Sequence, residues 1–293
     1  MRIIRPNVEI LEQGPGLSGI FKQIEQAGRN CYQSSHLIGE DTAKPFVDRM
    51  IRDGHTAMLE HGTVYLQLPA SSQWARRFEM EPFSAANWLL STDTMFVTTN
   101  YRVIVERCWQ DALEYLCDPE PLHERRVTAR FDTQIAISRE YNRHRVNSVA
   151  ESSTRYCNYS KDKFGNEISI NLPTWVDFDD ATNPCFILEE RLKHCAENFG
   201  EELWDAIDYW LFANAVCEYC YMMLIKKGWT AQQARTILPL DTNTSLVHTA
   251  FVSDWQHFFD LRSRGATGKP HPDAKVLADQ LLQMFIDKGI IRK

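Results

Sequence analysis

The sequence predicts an α+β fold in which helices flank a central, mainly antiparallel sheet, with a long insertion and a helical C-terminal half. Apolar residues recur at helical spacing in several long stretches, whereas shorter stretches alternate apolar and polar residues as half-buried strands do. The two kinds of segment do not alternate regularly, which argues against a doubly wound parallel sheet. The sequence also contains no internal repeat and no glycine-rich phosphate loop.

The N-terminal third predicts two strands and two helices. The first strand covers about residues 3–10, and helices follow at about 18–28 and 42–53. Gly54 is placed to end the second helix, because glycine adopts the left-handed backbone conformation at little cost. Residues 63–68 alternate in polarity and stop at a proline, which predicts a strand.

The middle of the chain is less regular. Residues 71–96 are rich in Trp, Phe and Ser without a clean period, and we predict a loop with short helical turns. A helix is predicted over 102–116, where apolar residues are helically spaced and an acidic, proline-bearing segment follows. Residues 127–133 alternate as a strand, and a helix carrying 138–145 comes next. Beyond a polar loop, residues 168–172 predict one more short strand.

The C-terminal half is predicted to be mostly helical. Its longest helix begins at about residue 189 or 201 and runs to 227, where two lysines and a glycine form a stop signal. Thr230 opens a capping box for a short helix. A strand is predicted at 246–252, a helix capped by its first serine at 253–262, and a last helix at 272–289 that begins with proline.

Composition and charge exclude several function classes. The 293-residue chain contains 32 Lys and Arg against 39 Asp and Glu, so its net charge of -7 argues against non-specific nucleic-acid binding. No apolar run approaches the ~20 residues of a membrane-spanning helix, and the N-terminus lacks the apolar core of a signal peptide. We therefore expect a cytoplasmic protein with no nucleic acid and no membrane among its partners.

The eight cysteines are scattered along a long chain without a secretory signal, which favours reduced thiols over a disulfide framework. Cys217 and Cys220 are spaced as C-x-x-C. They lie in an apolar, helically spaced stretch and have no second C-x-x-C partner. Buried helix thiols are therefore favoured over zinc or redox chemistry.

The segment from Ser138 to Tyr156 is the most informative for function. If its first half is helical, Arg139 and Arg143 lie one turn apart, a like-charge pairing that weakens a helix unless an anion lies between them. The following residues supply hydroxyls, backbone amides and a guanidinium, the donors that a phosphate group requires. A solvated basic face paired with the chain's own acids is the alternative interpretation.

The same segment carries a long motif. Arg143-His144-Arg145 is followed after seven residues by Ser153 and then by Arg155-Tyr156, with Glu151 inside the gap. This pattern resembles the signature of the flavin-dependent (alternative) thymidylate synthases. Further blocks agree with that family in the right order: His55-Thr56-Ala57-Met58-Leu59-Glu60-His61, Ala234-Arg235-Thr236-Ile237-Leu238-Pro239 and Trp255-Gln256-His257-Phe258-Phe259-Asp260-Leu261-Arg262.

The resemblance implies a single domain over residues 1–293, with an insertion at about 71–124. It implies an enzyme that methylates the uracil ring of dUMP to give dTMP, with methylenetetrahydrofolate as the one-carbon donor and electrons passing from NADPH through FAD. It also implies a homotetramer. Because the ring carries negative charge when its carbon 5 reacts, a fixed guanidinium beside it is the expected catalytic feature, and the resemblance assigns this role to Arg262.

The resemblance also implies a set of ligand-binding residues. Those implied for the flavin site are Arg143, His144, Arg145, Glu151, His257, Cys31 and His55. Those implied for the dUMP site are Glu140, Arg143, Glu151, Ser153, Thr154, Arg155, Arg235 and Arg262. The sequence departs from the common family pattern at four positions. Glu140, Cys31 and Ala150 stand where Gln, Ser and Asn, respectively, are common in the family. Phe251 stands where an Asn that contacts the flavin can occur.

Other function classes stay open from the residues alone. A metal-dependent hydrolase would use His55, Glu60 and His61, although histidines six residues apart lack the spacing of a helical H-E-x-x-H site. A non-catalytic nucleotide-binding or RNA-binding protein would use the arginine cluster, against the acidic net charge. Ser153 is favoured as a phosphate-binding hydroxyl over a nucleophile, and Cys157 is not expected to be one because its neighbours supply no general base.

Overall fold

The computed structural model describes residues 1–176, 184–197 and 204–292. The described residues are 47% helical and 20% strand, and their antiparallel sheets are flanked by helices. This composition and this layout confirm the predicted α+β class. None of the helices in the described ranges is both long and apolar enough to cross a bilayer.

The elements are named here in chain order. The strands in these ranges are β1 (Arg2–Ile4), β2 (Asn7–Leu11), β3 (Thr63–Pro69), β4 (Ala85–Leu89), β5 (Thr94–Asn100), β6 (Arg126–Gln134), β7 (Ser148–Glu151), β8 (Ser169–Asn171) and β9 (Asn243–Phe251). The α-helices are α1 (Gly16–Cys31), α2 (Ala43–Arg52), α3 (Ala75–Glu79), α4 (Tyr101–Glu106), α5 (Ile135–Tyr141), α6 (Pro184–Glu197), α7 (Ala206–Lys226), α8 (Ala231–Ala234), α9 (Val252–Phe259) and α10 (Pro272–Asp287). A π-helical turn (Asp260–Arg264) extends α9.

A four-stranded antiparallel sheet with the strand order β2-β6-β9-β7 forms the centre of the fold. Its longest pairing joins β6 to β9, from Arg126 opposite Phe251 to Gln134 opposite Asn243. A second antiparallel sheet has the order β3-β5-β4, and β1 and β8 form a parallel pair. The predicted mainly antiparallel centre is thereby confirmed.

Helices cover both faces of the central sheet. On one face, α9 and α10 bury Trp255 and Phe285 against Phe131 of β6. On the other face, Ala27 of α1 packs near Val247 of β9. Each fully buried aromatic side chain contributes roughly 2 kcal/mol or more to stability. This packing fixes the central strands from both sides. Because β7 pairs with β9, the packing also fixes the positions of the ends of these two strands.

Most predicted elements are confirmed to within a few residues. Gly54 ends α2 with a φ of +71°, and Thr230 forms the predicted capping box at α8. The other confirmed segments are 18–28 as α1, 42–53 as α2, 63–68 as β3, 127–133 as β6, 168–172 as β8, 246–252 as β9 and 272–289 as α10.

Two predicted elements are divided in the structure. Residues 3–10 form two strands in different sheets, because Pro6 has no amide hydrogen and restricts the residue before it. The predicted longest helix is two helices, α6 and α7, and Asp205 begins the second one with a capping box. Residues 198–203 of that prediction lie outside the described residues.

The prediction of a loop with short helical turns over residues 71–96 is confirmed in its helical turns, which are α3 and a 3-10 turn at Leu90–Thr92. The prediction of a loop is wrong for the rest, because this segment also contains β4 and the start of β5. β5 is buried on both of its faces, so its sequence shows no alternation of apolar and polar residues. The predicted helix over 102–116 is also too long, because Cys108 adopts a left-handed φ of 57° after α4. A short 3-10 helix (Gln110–Tyr115) follows it.

Two local predictions around the motif are also wrong. The helix predicted to carry 138–145 is α5, which ends at Tyr141, so Arg139 and Arg143 do not share a helix. Ser253 does not cap α9, because β9 runs directly into the helix and Ser253 Oγ donates instead to Glu124. The motif therefore lies in loops and on a strand.

The cysteines of the C-x-x-C spacing lie on α7, as predicted. Cys217 is half-buried, but Cys220 is exposed, so the prediction of buried thiols is wrong for Cys220. α7 also exposes large apolar side chains to solvent, with Tyr209, Val216 and Tyr219 exposed at 59%, 41% and 67%. The helix thus has an apolar surface that the described residues of this chain leave uncovered.

Candidate functional site

The predicted motif surrounds the edge strand β7. Residues 142–147 form the loop that enters β7, and residues 152–157 form the turn that leaves it. β7 pairs with β9 of the central sheet, which fixes its direction. At about 3.3 Å per residue, the short strand separates the two halves of the motif by roughly 10 Å. Residues 143–145 and 153–155 therefore lie at opposite ends of β7.

Three side chains near the entry loop form what we call the Arg262 cluster: Glu140, His144 and Arg262. Arg262 Nη1 donates to Glu140 Oε2 at 2.7 Å, and Nη2 donates to the Glu140 carbonyl oxygen at 2.6 Å. Arg262 Nε donates to His144 Nε2 at 3.2 Å. Arg262 belongs to the π-helical turn, a feature often found at functional sites. Its guanidinium is thus held in one orientation from three directions.

His144 acts as a neutral acceptor in this cluster. It is 6% exposed, and its ring centre lies 5.9 Å from the ring of His257 and 4.9 Å from that of Phe258. Burial, with the nearby charge of Arg262 and the presence of His257, lowers the pKa of His144 from 6.5 to about 4. Because Nε2 accepts a hydrogen bond, the neutral ring carries its hydrogen on Nδ1. The structure also places His257 beside the Arg262 cluster.

The turn after β7 forms a second group, which we call the Arg155 cluster: Ser153, Thr154, Arg155 and Arg235. Arg235 Nη1 donates to Thr154 Oγ1 at 3.3 Å, and Arg155 Nε donates to Gln232 Oε1 at 3.1 Å. Both arginines are exposed, and neither forms a salt bridge with a residue in the described ranges. Two uncompensated guanidinium groups beside hydroxyls suit an anionic ligand.

Glu151 and Cys31 connect this turn to its surroundings. Glu151 Oε2 accepts from Asn142 Nδ2 at 2.9 Å, and Oε1 accepts from Thr244 Oγ1 at 3.1 Å, so Glu151 links the entry loop to β9. The Cys31 carbonyl accepts from the Ser153 amide at 2.9 Å. Burial raises the pKa of the Cys31 thiol to about 11, which favours the protonated thiol at neutral pH.

Arg145 lies at a cleft of about 690 Å³ between the two antiparallel sheets. Asn147 and Phe251 line it on the side of the central sheet, and Phe83 lines it on the side of the segment predicted as an insertion. Arg143 and Arg145 are exposed and form no salt bridge within the part of the chain that the structure describes. The lining of the cleft is mixed in charge, because it also contains carboxylates, of which Glu124 and Asp254 lie on the side of the central sheet.

The side chains of the alternative metal site have separate partners. His61 Nδ1 lies 2.8 Å from Thr249 Oγ1 in the interior, and Glu60 Oε1 accepts from Arg102 Nη1 at 2.6 Å. His55 is exposed and forms no hydrogen bond with the described residues of either cluster. No group of three His, Cys, Asp or Glu side chains in the described ranges is placed to hold a metal ion. The geometry therefore gives this alternative no support.

Sequence reasoning missed three polar residues that support the site. Asn30 Nδ2 donates to backbone carbonyl oxygens of β7 and β9 at 3.3 and 2.8 Å. Asn147 Nδ2 lies 3.2 Å from His248 Nδ1, and Arg126 Nη2 donates to Ser148 Oγ at 3.3 Å. Burial lowers the pKa of Arg126 to about 10. For Asn30 and Arg126, the available signal was a polar residue within a predicted helix or at the start of a predicted strand, whereas Asn147 lies in a loop and had no such signal.

A protein-family model described as thymidylate synthase complementing protein matches residues 95–288, more than half of the chain. The matched region contains β7 and every residue of the Arg262 and Arg155 clusters. It begins inside the segment predicted as an insertion at 71–124. The match therefore covers the part of the chain that builds both ends of the motif.

Similar proteins carry names of the same kind. A probable flavin-dependent thymidylate synthase of Paramecium bursaria Chlorella virus 1 is 26% identical over 160 residues, or 55% of this chain and 66% of that protein. A flavin-dependent thymidylate synthase of Synechocystis sp. is 26% identical over 155 residues, or 53% of this chain and 65% of that protein. The matches thus span slightly less than two thirds of either relative. A solved UMP/dUMP methylase PolB from Streptomyces cacaoi, bound with 5-Br UMP, has 14% identity and a TM-score of 0.44 over 98% of this chain and 92% of that chain.

Proposed function

Because this chain belongs to the thymidylate synthase complementing protein family, we propose that it methylates the uracil ring of dUMP to give dTMP. Methylenetetrahydrofolate would donate the one-carbon unit, and NADPH would supply electrons by way of FAD. The observation that carries the proposal is the Arg262 guanidinium, 13% exposed and fixed by three hydrogen bonds beside the motif. Such a group suits a ring that becomes negatively charged.

Arg262 would act on the pyrimidine through its charge. Carbon 5 of uracil becomes nucleophilic as negative charge builds on the ring, and a guanidinium already in place stabilises that charge without reorganisation. Glu140 and His144 hold the guanidinium in place before a ligand arrives. Loss of one such preorganised donor costs about 3 kcal/mol of transition-state stabilisation. Arg262 is thus the proposed catalytic residue.

The Arg155 cluster would hold the phosphate of dUMP. Arg155 and Arg235 present planar guanidinium groups that can each bind two oxygens of one phosphate. Ser153 and Thr154 add hydroxyl donors from the same turn. Glu151 is fixed between the entry loop and β9, where it orders the turn that carries these donors. Arg143 is proposed to contact the nucleotide from the other end of β7.

Two residues at the cleft, Arg145 and Asn147, suit part of a flavin dinucleotide. Arg145 and its loop neighbour Arg143 form no salt bridge in the described ranges, and a pyrophosphate would supply an anion for them. Asn147 Oδ1 is buried and has no hydrogen-bond partner among the described residues, as expected for an acceptor whose donor belongs to a ligand. When bound, FAD would supply the hydride that reduces the transferred one-carbon unit to a methyl group. The other proposed flavin residues are His144, Glu151, His257, Cys31 and His55.

We include a homotetramer and a cytosolic location in the proposal. The exposed Tyr209, Val216 and Tyr219 of α7 give an apolar surface that favours contact with another copy of the chain. The Arg262 and Arg155 clusters lie at opposite ends of β7. In a symmetric assembly, one site would then draw its two groups of ligands from two chains.

Formation of dTMP is the direct test. Purified protein supplied with FAD, dUMP, methylenetetrahydrofolate and NADPH should convert dUMP to dTMP, which chromatography of the nucleotides would measure. Reactions that lack FAD, methylenetetrahydrofolate or NADPH test whether each of these compounds is required for dTMP formation. Wild-type protein that shows a bound-flavin absorption spectrum but forms no dTMP would refute the proposal.

A further inference from the structure

One wall of the cleft of about 690 Å³ carries a buried carboxylate, that of Glu81. The Glu81 side chain is only 4% exposed, and Arg107 Nε donates to its Oε2 at 2.8 Å. Its Oε1 is buried and accepts no hydrogen bond from any of the described residues. Because an unpaired buried acceptor is costly, such an atom on a residue of a cleft wall is expected to receive its donor from a ligand.

The turn after α3 holds this carboxylate in place. The Glu81 amide donates to the Phe78 carbonyl oxygen at 3.2 Å, and the Ser84 amide donates to the Glu81 carbonyl oxygen at 3.1 Å. Ser84 Oγ in turn donates to Thr99 Oγ1 of β5 at 2.9 Å. Glu81 also precedes residues 95–288, which the family model matches, so the family gives it no role.

The same cleft contains a second open acceptor and two aromatic side chains. Asn147 lines the side of the central sheet, and its Oδ1 is buried without a partner among the described residues. Phe83, two residues after Glu81, is 62% exposed, and Phe251 lies on the side of the central sheet. Flat rings stack on such side chains. The cleft therefore suits a flat heterocycle that carries N–H donors along its edge.

The order of donors and acceptors at the ring edge separates the candidate rings. A carboxylate binds two adjacent N–H donors side by side, as it does with arginine. The pterin of a folate carries such a pair, which is its ring N3–H and its 2-amino group. In a flavin the N3–H lies between two carbonyl oxygens, and in adenine the amino group lies beside ring nitrogens with lone pairs. Since a carboxylate repels these neighbouring acceptors, the pterin is the best match.

We propose that Glu81 is a specificity-determining residue that binds the N3–H and the 2-amino group of the pterin of methylenetetrahydrofolate. The inference rests on the proposed function, because it names the residue that selects the one-carbon donor of that reaction. The reaction requires the folate and the flavin to lie close together, and the cleft proposed to take part of the flavin dinucleotide provides this. The segment predicted as an insertion then builds part of the folate site.

Folate binding with and without the 2-amino group tests this assignment. Calorimetry on FAD-loaded protein would compare 5-formyltetrahydrofolate with an analogue in which a methyl group replaces the 2-amino group. Wild-type protein should bind the analogue at least about tenfold more weakly, because a hydrogen bond to a charged acceptor is lost. Glu81→Gln should bind 5-formyltetrahydrofolate at least about tenfold more weakly than wild type and should discriminate less between the two folates. Its affinity for FAD should not change.

Two further variants keep the result decisive. Glu81→Asp retracts the carboxylate by one methylene group, so it should weaken folate binding and narrow the ratio of the two affinities. Glu79→Gln removes an exposed carboxylate of α3 that forms no salt bridge with a described residue, and it should behave as wild type. A purely structural Glu81 would weaken the binding of both folates equally and leave their ratio at the wild-type value.

The outcomes separate this inference from the proposed function. If wild-type protein forms dTMP but binds the two folates equally, the assignment of Glu81 is overturned and the function stands. A wild-type ratio in Glu81→Gln, or a loss of FAD affinity in place of folate affinity, overturns the assignment as well. If Glu81→Gln does not fold, an unchanged ratio in Glu81→Asp overturns it instead. Wild-type protein that binds flavin but neither binds folate nor forms dTMP refutes the proposed function and the assignment together.

Discussion

Arg262 shows how far a single residue can be understood from the sequence. Its resemblance to a family arginine indicated its role, but its partners Glu140 and His144 lie 122 and 118 positions away along the chain. No local pattern records such pairs. The geometry adds what the sequence lacked, which is a fixed orientation and a count of the N–H groups that remain for a ligand. The predictions for single residues therefore concern the shape of the Arg262 guanidinium and the protonation of His144.

Arg262→Lys tests the shape of the guanidinium. Lysine keeps the positive charge but does not reproduce the planar fork that binds both the carboxylate and the carbonyl oxygen of Glu140. We expect kcat for dTMP formation to fall at least about a hundredfold, or about 2.7 kcal/mol, with flavin still bound. Arg264→Lys, on the same turn but exposed and paired with Asp260, is the control and should keep wild-type turnover. Near-normal kcat in Arg262→Lys would contradict the role given to the fork.

His144 gives a prediction about stability and pH. Its pKa is about 4 in the folded protein against an ordinary 6.5, so between these values the unfolded chain binds a proton that the folded chain does not. The free energy of unfolding should therefore fall as pH drops from about 6.5 to about 4, by at most ~1.4 kcal/mol per pH unit from this residue. His144→Gln keeps an acceptor for Arg262 and does not titrate.

Urea unfolding at several pH values measures this effect. Wild-type protein should show the steeper pH dependence in that window, and His144→Gln the shallower one. His61 and His248, whose pKa values burial lowers to about 3, remain in both proteins and give the common background slope. Equal slopes in the two proteins would mean that His144 takes up its proton at the same pH in the folded and unfolded states, which contradicts the lowered pKa.

At the scale of the element, predictability follows the clarity of the local signal. Segments with a stop signal or an alternating sequence, such as α2 before Gly54 and β6, were predicted from the sequence alone. β5 was missed because it is buried on both faces and shows no alternation. The end of α5 was missed because neither proline nor glycine marks it, and this decided that residues 143–145 lie in a loop. The candidate site was thus predicted as a set of residues, whereas its arrangement was not.

Cys108 offers a test of one such element boundary. Its φ of 57° ends α4, and this backbone conformation is costly for any residue with a Cβ atom. Cys108 is exposed, so replacing it removes little packing. Cys108→Gly should therefore raise the free energy of unfolding by about 1 kcal/mol in urea titrations. Lys22→Gly, at an exposed position inside α1, should lower it by about the same amount. Destabilisation by both variants would contradict the conformation given to Cys108.

At the scale of the whole molecule, the distribution of charge follows the architecture of the central sheet. The chain carries a net charge of -7, yet Arg143, Arg145, Arg155 and Arg235 are exposed at the two ends of β7 without partners among the described acids. Local positive charge of this kind attracts anionic ligands, while the acidic remainder disfavours polynucleotides. The central sheet holds these two ends apart, so the distribution of ligands between chains becomes a question of assembly.

Mixed oligomers answer that question. Arg262→Ala removes the guanidinium of one cluster, and Arg155→Ala removes a phosphate-type donor of the other, so each variant alone should form no dTMP. If one site takes the two clusters from different chains, an oligomer of both variants contains some sites with neither defect. Random mixing in equal amounts gives about a quarter of the sites in this state. We therefore expect mixing to restore up to about a quarter of wild-type activity.

The comparison requires proof that the chains have mixed. Each variant would carry a different affinity tag, and oligomers purified through both tags would be assayed for dTMP formation. Each variant refolded with itself serves as the control and should stay inactive. If a site lies within one chain, every site in the mixture keeps one defect, and no activity returns however complete the mixing. Doubly tagged oligomers that bind flavin but remain inactive would therefore reject the shared site. Both clusters of one site would then come from the two ends of β7 in the same chain.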